Sequence, residues 1–219
     1  MNKKKIIGAS IGVALFAILI AGATFAWLTL NANVTNGIYN SSTVCFDIDY
    51  SNGGSISGEL NFITDATTGL NTSVTMGINS SCDISGNGTI YLNVSDDTDD
   101  VLISTVDGHC EATASLVSIP QYTDSSTCVS NGGTWITSGT ALKYSVYARS
   151  NPGTYTIPLS VGYINTTGDI ALYEDFALSE GSTTTYYIYI WLDGVLATYN
   201  HSGKYFSGYI HTKATQVEE

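Results

Sequence analysis

Hydrophobic residues follow two distinct patterns along this chain. The first is one unbroken apolar run from Ile6 to Ala23, preceded by three lysines at positions 3 to 5. The second begins directly afterwards and consists of short segments in which apolar and polar residues alternate. A long apolar run is typical of a segment that enters a membrane, whereas a period of two is typical of half-buried β-strands. The sequence therefore predicts a hydrophobic leader followed by an all-β domain.

The leader has the layout of a secretory signal peptide. Its lysines stay on the cytoplasmic side of the membrane, and a signal peptidase needs small side chains at the third and first positions before its cut. Thr24 and Ala26 provide them, so we predict a signal peptide of residues 1–26, cleaved between Ala26 and Trp27. The alternative is an uncleaved signal anchor, since residues 6–30 carry no charge and about 20 apolar residues span a bilayer. Before or without cleavage, residues 6–30 make the membrane contact.

A short amphipathic strand, residues 27–35, follows the predicted cut. Its apolar residues alternate with Thr and Asn, which places four of them on one face: Leu28, Leu30, Ala32 and Val34. A strand at a free N-terminus either pairs within its own sheet or is lent to a neighbouring molecule. The pattern alone leaves both possibilities open.

Residues 36–219 continue the β pattern as one domain. The strand at 43–50 is expected to pair with the next one, Ile56 to Phe62, and the segment 186–192 is apolar on both faces, which favours a central strand. Residues 170–178 indicate a short strand followed by an edge loop. Further strands are predicted at 74–78, 90–94, 142–148, 155–161 and 205–215. Short strands separated by Gly, Asn and Ser turns, without helical periodicity, predict an antiparallel β-sandwich.

Residues 107–137 do not follow this pattern of short alternating strands. They contain few aliphatic residues, Pro120 and two of the four cysteines, and we predict an insertion between strands that is held by its own disulfide. Loops of this length usually carry function or are disordered. A surface that recognises a specific partner is therefore expected here.

The four cysteines are Cys45, Cys82, Cys110 and Cys128. An even number after a secretory leader, without a C-x-x-C motif, favours two disulfides over a zinc site. Three pairings are possible from sequence. We favour Cys45 with Cys82 and Cys110 with Cys128, because each bridge then closes within one local unit.

The charge balance excludes one class of partner. The net charge of the chain is −12, and removal of the three leader lysines would change it to −15. Nucleic-acid binding depends on a basic surface that displaces phosphate counterions, and the chain has none. We therefore predict no nucleic-acid partner.

Residues that could support catalysis are scattered. The three histidines lie far apart and no H-E-x-x-H motif occurs, and the G-x-S-x-G match at Gly8 to Gly12 falls within the apolar leader. We expect His201 and His211 to face solvent. The acidic run Asp96 to Asp100 lacks the central Gly and distal Glu of an EF-hand loop, which favours a solvated turn. We predict no enzyme activity, catalytic residues, metal or cofactor.

The lysine-rich start and the sequence AGATFAW at residues 21–27 resemble the signal peptides of the TasA/camelysin family, which the dedicated signal peptidase SipW processes. Three later stretches, GLNTSVTMGINSSC, YYIYIWLDG and SGYIHTKATQ, are similar to TasA-like surface proteins of Gram-positive-type bacteria. The resemblance implies a cut between Ala26 and Trp27 and a jelly-roll sandwich. It also implies fibres in which the segment Trp27 to Val34 inserts into the next subunit. The type member of the family has no cysteines, so both disulfides are departures from it.

Two functions fit these observations. The first is a secreted subunit of extracellular biofilm-matrix fibres, whose partner is another copy of the chain and which meets a signal peptidase during export. The alternative is a monomeric β-sandwich anchored at the cell surface by an uncleaved leader. That protein would bind another protein or a glycan through residues 107–137.

Overall fold

The computed structural model describes residues 29–32, 40–42, 45–63, 65–106, 108–149 and 157–217. We number the strands in chain order: β1 (Thr29–Ala32), β2 (Asn40–Ser42), β3 (Phe46–Tyr50), β4 (Ser55–Leu60), β5 (Phe62–Ile63), β6 (Leu70–Ile78), β7 (Ser85–Val94), β8 (Thr105–Val106), β9 (His109–Ala112), β10 (Gly133–Ile136), β11 (Gly139–Thr140), β12 (Leu142–Tyr147), β13 (Ser160–Tyr163), β14 (Gly168–Leu178), β15 (Thr183–Asp193) and β16 (Lys204–Val217). The described α-helix, α1, spans Ser125–Ser130. The predicted leader, residues 1–26, lies outside the described residues. Among the described ones, no helix has the length and apolar character needed to cross a membrane.

The first sheet is antiparallel and is organised around the long strand β16. One side of β16 pairs with β7, which in turn pairs with β14 at the edge. The other side of β16 is shared by two strands. β4 lies opposite residues 204–209, and β1 lies opposite residues 212–215. β1 therefore continues the line of β4 along β16.

The second sheet has the strand order β13-β12-β15-β6-β3-β2. β15 is central, as its two apolar faces predict, and pairs with β12 on one side and β6 on the other. Near its end β15 also pairs with the short parallel strand β5. The fold is therefore all-β and mostly antiparallel, as expected for a β-sandwich.

The core lies between the two sheets. It is one cluster of buried side chains to which both sheets contribute, among them Ile90 and Leu92 of the first sheet and Met76 and Ile188 of the second. The predicted alternation holds in β3, where three buried residues alternate with two exposed aspartates. Sheets bury their apolar face in this way because sheet-on-sheet packing removes it from water.

Residues 105–140 form a separate segment outside the two main sheets. Two short antiparallel pairs, β8 with β11 and β9 with β10, lead out to α1. Ordered strands and a helix thus occupy the region predicted as an insertion at 107–137. We call residues 105–140 the insertion below.

The predicted hairpin between β3 and β4 is wrong. β4 pairs with β16 in the opposite sheet, whereas β3 pairs with β2 and β6. The four residues between them, Ser51–Gly54, form a 3-10 turn, and Gly54 has a φ of 75°. Glycine adopts this left-handed conformation at little cost. The turn carries the chain from one sheet to the other.

Two further strand boundaries differ from the prediction. Residues 168–178 form one long edge strand, β14, and its register shifts on both sides of Tyr173 disturb the apolar alternation. The strand expected at 155–161 begins only at Ser160 in β13. Ile157 and Leu159 are 71% and 44% exposed, and residues 150–156 lie outside the described part.

Candidate functional site

The predicted donor strand falls partly within the described residues. Leu30 and Ala32 lie in β1, whereas Ala26, Trp27, Leu28 and Val34 lie outside the described residues. In the register of β1 on β16, Leu30 is opposite Ala214 and Ala32 is opposite Thr212. Ala214 and Thr212 are buried, and Lys213 between them is exposed. The apolar positions of β1 therefore lie opposite the core-facing positions of β16.

The four cysteines form two disulfides, Cys45 with Cys82 and Cys110 with Cys128. These are the pairings that the spacing favoured. Alternation along residues 43–50 places Cys45 on the solvent side with Asp47 and Asp49 and predicts that its bridge is an external staple. This prediction is wrong, because Cys82 is buried and the half-buried Cys45 packs against the core. The second bridge joins β9 to α1 inside the insertion.

The most unusual group of side chains lies where the insertion covers the outer face of the second sheet. Leu142, Tyr144 and Val146 of β12 point into the core, so Lys143 points to the opposite face, yet its side chain is 0% exposed. In the register of the sheet, Lys143 is flanked by Tyr163 of β13 and Trp191 of β15. Their rings lie 5.7 Å and 5.3 Å from the Lys143 Nζ atom, at distances typical of cation–π contacts.

Two carboxylates meet the Lys143 ammonium. Its Nζ atom lies 2.5 Å from Oε1 of Glu111 and 2.8 Å from Oδ2 of Asp193, and all three side chains are buried. Glu111 comes from β9 of the insertion and Asp193 from the end of β15. Lysine carboxylate pairs are seldom fully buried, because desolvation is offset only when every charge has close partners. The cluster therefore joins the insertion to the sheet electrostatically.

Polar groups of the insertion complete the cluster. Lys143 Nζ also donates to the backbone carbonyl of Leu116 at 2.6 Å. Leu116 has a φ of 54°, which is uncommon for a residue other than glycine. The backbone N–H and the hydroxyl of Ser118 both donate to Oδ2 of Asp193, and the N–H of Val195 donates to Oδ1. Both oxygens of Asp193 are thus held by fixed donors.

Glu111 has a second set of partners. His109 Nε2 lies 2.7 Å from Oε1 of Glu111, and the Tyr163 hydroxyl donates to Oε2 at 2.5 Å. The Nδ1 atom of His109 is buried and has no hydrogen-bond partner in the described part of the chain. We call Glu111, Lys143, Asp193 and these two partners of Glu111 the buried ionic cluster.

The surroundings shift the titration of the acidic groups. Burial by itself raises the pKa of Glu111, but the hydrogen bond with His109 and the charge of Lys143 outweigh it, so that pKa lies below its ordinary value. The pKa of Asp193 is also lowered, because Lys143 and Ser118 outweigh its burial. Burial and the neighbouring Glu111 carboxylate raise the pKa of Tyr163. Opposite charges and hydrogen bonds to the ionised form lower the pKa values of the two carboxyl groups, whereas burial and a neighbouring negative charge disfavour the ionised form of Tyr163.

Sequence reasoning did not single out the buried ionic cluster. In the sequence Lys143 is simply one of seven basic residues, and the alternation of β12 assigns its side chain to a solvent-facing surface. The sequence feature that points toward such a cluster is the insertion, because a segment of this length has to pack on some face of the sandwich. Which face it covers depends on contacts between distant residues.

Two histidines also differ from the expectation. His201 is only 4% exposed, and its Nδ1 atom accepts a hydrogen bond from the Thr198 N–H at 3.0 Å in a short 3-10 turn. His211 is largely covered, because its ring stacks on Tyr91 and its Nε2 atom lies 3.0 Å from Asp169. The prediction that both face solvent is therefore wrong for His201, whereas His211 lies on the outer face of β16 with its side chain 13% exposed.

The acidic run at 96–100 forms a turn against β16. Asp99 accepts a hydrogen bond from the Tyr205 N–H and makes a long ion pair of 3.9 Å with Lys204. Among the described residues, no group of three or more His, Cys, Asp and Glu side chains has the geometry of a metal site.

Comparison with known proteins adds no family to these observations. The sequence matches no protein-family model, and a search of curated proteins returns no match.

Proposed function

We propose that this protein is a secreted structural subunit that assembles into extracellular fibres by donor-strand exchange. In this proposal the sandwich has the jelly-roll form of TasA-like proteins, and residues 27–35 are the exchanged segment. The observation that carries the proposal is the position of β1. It is a short strand near the start of the chain, and it occupies a place on β16 that β4 leaves vacant.

The geometry of β1 suits exchange. All four described residues of this short strand pair with β16. If β1 left this position, the N–H and C=O groups that residues 212–215 direct toward β1 would lose their partners. The same segment of a second copy could restore every lost backbone hydrogen bond. Such a swap costs little, because the contacts within one molecule and between two molecules are the same.

The two disulfides fit a protein that works outside the cytoplasm. Disulfides persist in oxidising environments and are rare in the cytosol, and this chain contains two within 219 residues. The bridges therefore indicate a location outside the cytoplasm. We extend this to the cell surface or matrix of a Gram-positive-type bacterium on the strength of the leader.

Cysteine cross-linking tests the proposal directly. Asn31 of β1 lies opposite Lys213 of β16, so a chain carrying Asn31→Cys and Lys213→Cys can close a disulfide between the two strands. In assembled material, strand exchange predicts a ladder of covalent multimers on a non-reducing gel. The matched control is Asn31→Cys with Ser207→Cys, because Ser207 lies opposite β4 and out of reach of β1. That control is expected to give no ladder.

A disulfide that forms only within each chain would contradict strand exchange. It would favour a second candidate, the anchored monomer that binds through the insertion. The observation behind that candidate is the exposed side of α1, where Val129 is 61% exposed on a helix held by the Cys110 to Cys128 bridge. Intact mass separates the two further, since an anchored monomer retains residues 1–26.

A further inference from the structure

The buried ionic cluster contains the reactants of an amide bond. The amine of Lys143 and the carboxyl of Asp193 lie on adjacent strands, with 2.8 Å between Nζ and Oδ2. Condensation of an amine with a carboxylic acid requires the two groups to be held together, dehydrated and supplied with a group that moves protons. Holding the reactants in contact raises the reaction rate by several orders of magnitude. Each requirement has a residue in this cluster.

We propose that Lys143 and Asp193 condense into an intramolecular isopeptide bond and that Glu111 is the general base and acid for the reaction. The bond would cross-link β12 to β15 within the second sheet. This proposal is independent of fibre assembly, because every atom that it needs lies in one chain.

The reaction balances within the cluster. One proton of the Lys143 ammonium passes to the Asp193 carboxylate, which leaves a neutral amine beside a neutral carboxylic acid. The Nζ lone pair attacks Cγ of Asp193, and Nζ passes a proton to Glu111 as the C–N bond forms. Glu111 then returns this proton to the departing hydroxyl of Asp193. The C–O bond breaks, one water molecule leaves, and Glu111 is a carboxylate again.

Glu111 is placed for this role. Its Oε1 atom is 2.5 Å from Lys143 Nζ, within the reach that a general base requires. A simple ion pair with Lys143 needs one carboxylate, yet this fully buried ammonium has two. The second carboxylate has to be accounted for, since a surplus buried negative charge costs free energy. A role in proton transfer gives it a function.

The surroundings of Asp193 favour the tetrahedral intermediate. The Val195 N–H lies 3.0 Å from Oδ1, and the Ser118 hydroxyl and N–H lie 2.7 Å and 3.2 Å from Oδ2. Fixed donors of this kind stabilise the negative charge that develops on a carboxyl oxygen during acyl transfer. The rings of Tyr163 and Trp191 flank Nζ and keep water from the reacting atoms.

Peptide mass spectrometry of the full chain tests the proposal. The protein is exported and allowed to fold, and it is then reduced and alkylated before digestion. A protease that cuts after Trp and Tyr releases residues 136–144, with Lys143, and residues 192–199, with Asp193. We expect these peptides to be recovered as one branched species whose mass is their sum less one water. Lys143→Arg, which keeps the charge but offers no amine, should give none of it. Glu111→Gln should lower its yield at least tenfold.

Two results would overturn the proposal. The first is recovery of both peptides unlinked, at their full masses, from folded wild-type protein after prolonged incubation. The second is loss of water confined to residues 192–199, which would indicate a succinimide at Asp193-Gly194 instead of a cross-link. Both results are read from the wild-type chain, so the outcome does not depend on whether a variant folds.

Discussion

The side-chain hydroxyls of Tyr50 and Thr212 lie 2.6 Å apart in the buried core, and they join β3 of one sheet to β16 of the other. Burial raises the pKa of the Tyr50 phenol, so it stays neutral and able to donate. Thr212 is also the residue that lies opposite Ala32 of β1. This hydrogen bond therefore supports β16 at the place where the proposed donor strand pairs.

Removing this contact should destabilise the fold. We expect Tyr50→Phe to lower the free energy of unfolding by about 1 to 2 kcal/mol, because a buried hydrogen bond is lost and the Thr212 hydroxyl loses a partner. Urea denaturation measures the change, and Tyr199→Phe is the control because Tyr199 is 91% exposed. A double-mutant cycle with Thr212→Val should show a coupling energy above about 0.5 kcal/mol. Strict additivity would contradict direct coupling.

The buried ionic cluster predicts a large difference between two lysines. Relative to the ionic form, Lys143→Met removes the cation between Glu111 and Asp193 and should cost about 3 to 5 kcal/mol of stability, because two buried carboxylates lose their partner. Lys204→Met is the matched control, since the ion pair of Lys204 with Asp99 is long and exposed. We expect it to change stability by less than about 1 kcal/mol. Equal effects in urea denaturation would show that Lys143 is not held as described.

The lowered pKa values of Glu111 and Asp193 predict acid sensitivity. A carboxyl whose folded pKa is below its unfolded value, about 4, stabilises the protein above that value. This contribution is lost as the pH falls through the folded pKa. We therefore expect the Tm of the ionic form to decrease below about pH 4, and to decrease less in Glu111→Gln. A Tm that rises in this range would contradict the assignment.

Condensation of Lys143 with Asp193 changes this expectation in a measurable way. Asp193 is then an amide and no longer titrates, so the decrease of Tm in acid should be shallower than in Lys143→Arg. Parallel thermal unfolding of the two proteins measures this. Identical acid profiles would indicate that wild-type protein retains the ionic form.

The Cys110 to Cys128 bridge should protect the insertion specifically. Replacement of both cysteines by Ser should lower stability by about 3 kcal/mol for an 18-residue separation. Protease cleavage should then begin between residues 113 and 132. Replacement of Cys45 and Cys82 should cost a similar free energy, about 4 kcal/mol, without exposing the insertion. First cleavage at the same sites in both variants would contradict a local role for the bridge.

Much of the fold could be predicted because strand alternation is a local property. The buried and exposed residues of β3 and the central place of β15 both follow from short stretches of sequence. The pairing of the cysteines followed from local closure. The full length of β14 differs from the prediction, because the register shifts around Tyr173 break the alternation that marks a strand in the sequence.

Local alternation specifies which residues form strands and which face of most strands is apolar, because the pleat repeats every two residues. The pairing of the strands, the position of β1 and the cover over the outer face of the second sheet depend on tertiary contacts. Lys143 shows the physical reason. Alternation assigns its side chain to the outer face of β12, but whether that face meets water or the insertion depends on Glu111, 32 residues away, and Asp193, 50 residues away. Contacts across such separations leave no periodic signal in the chain.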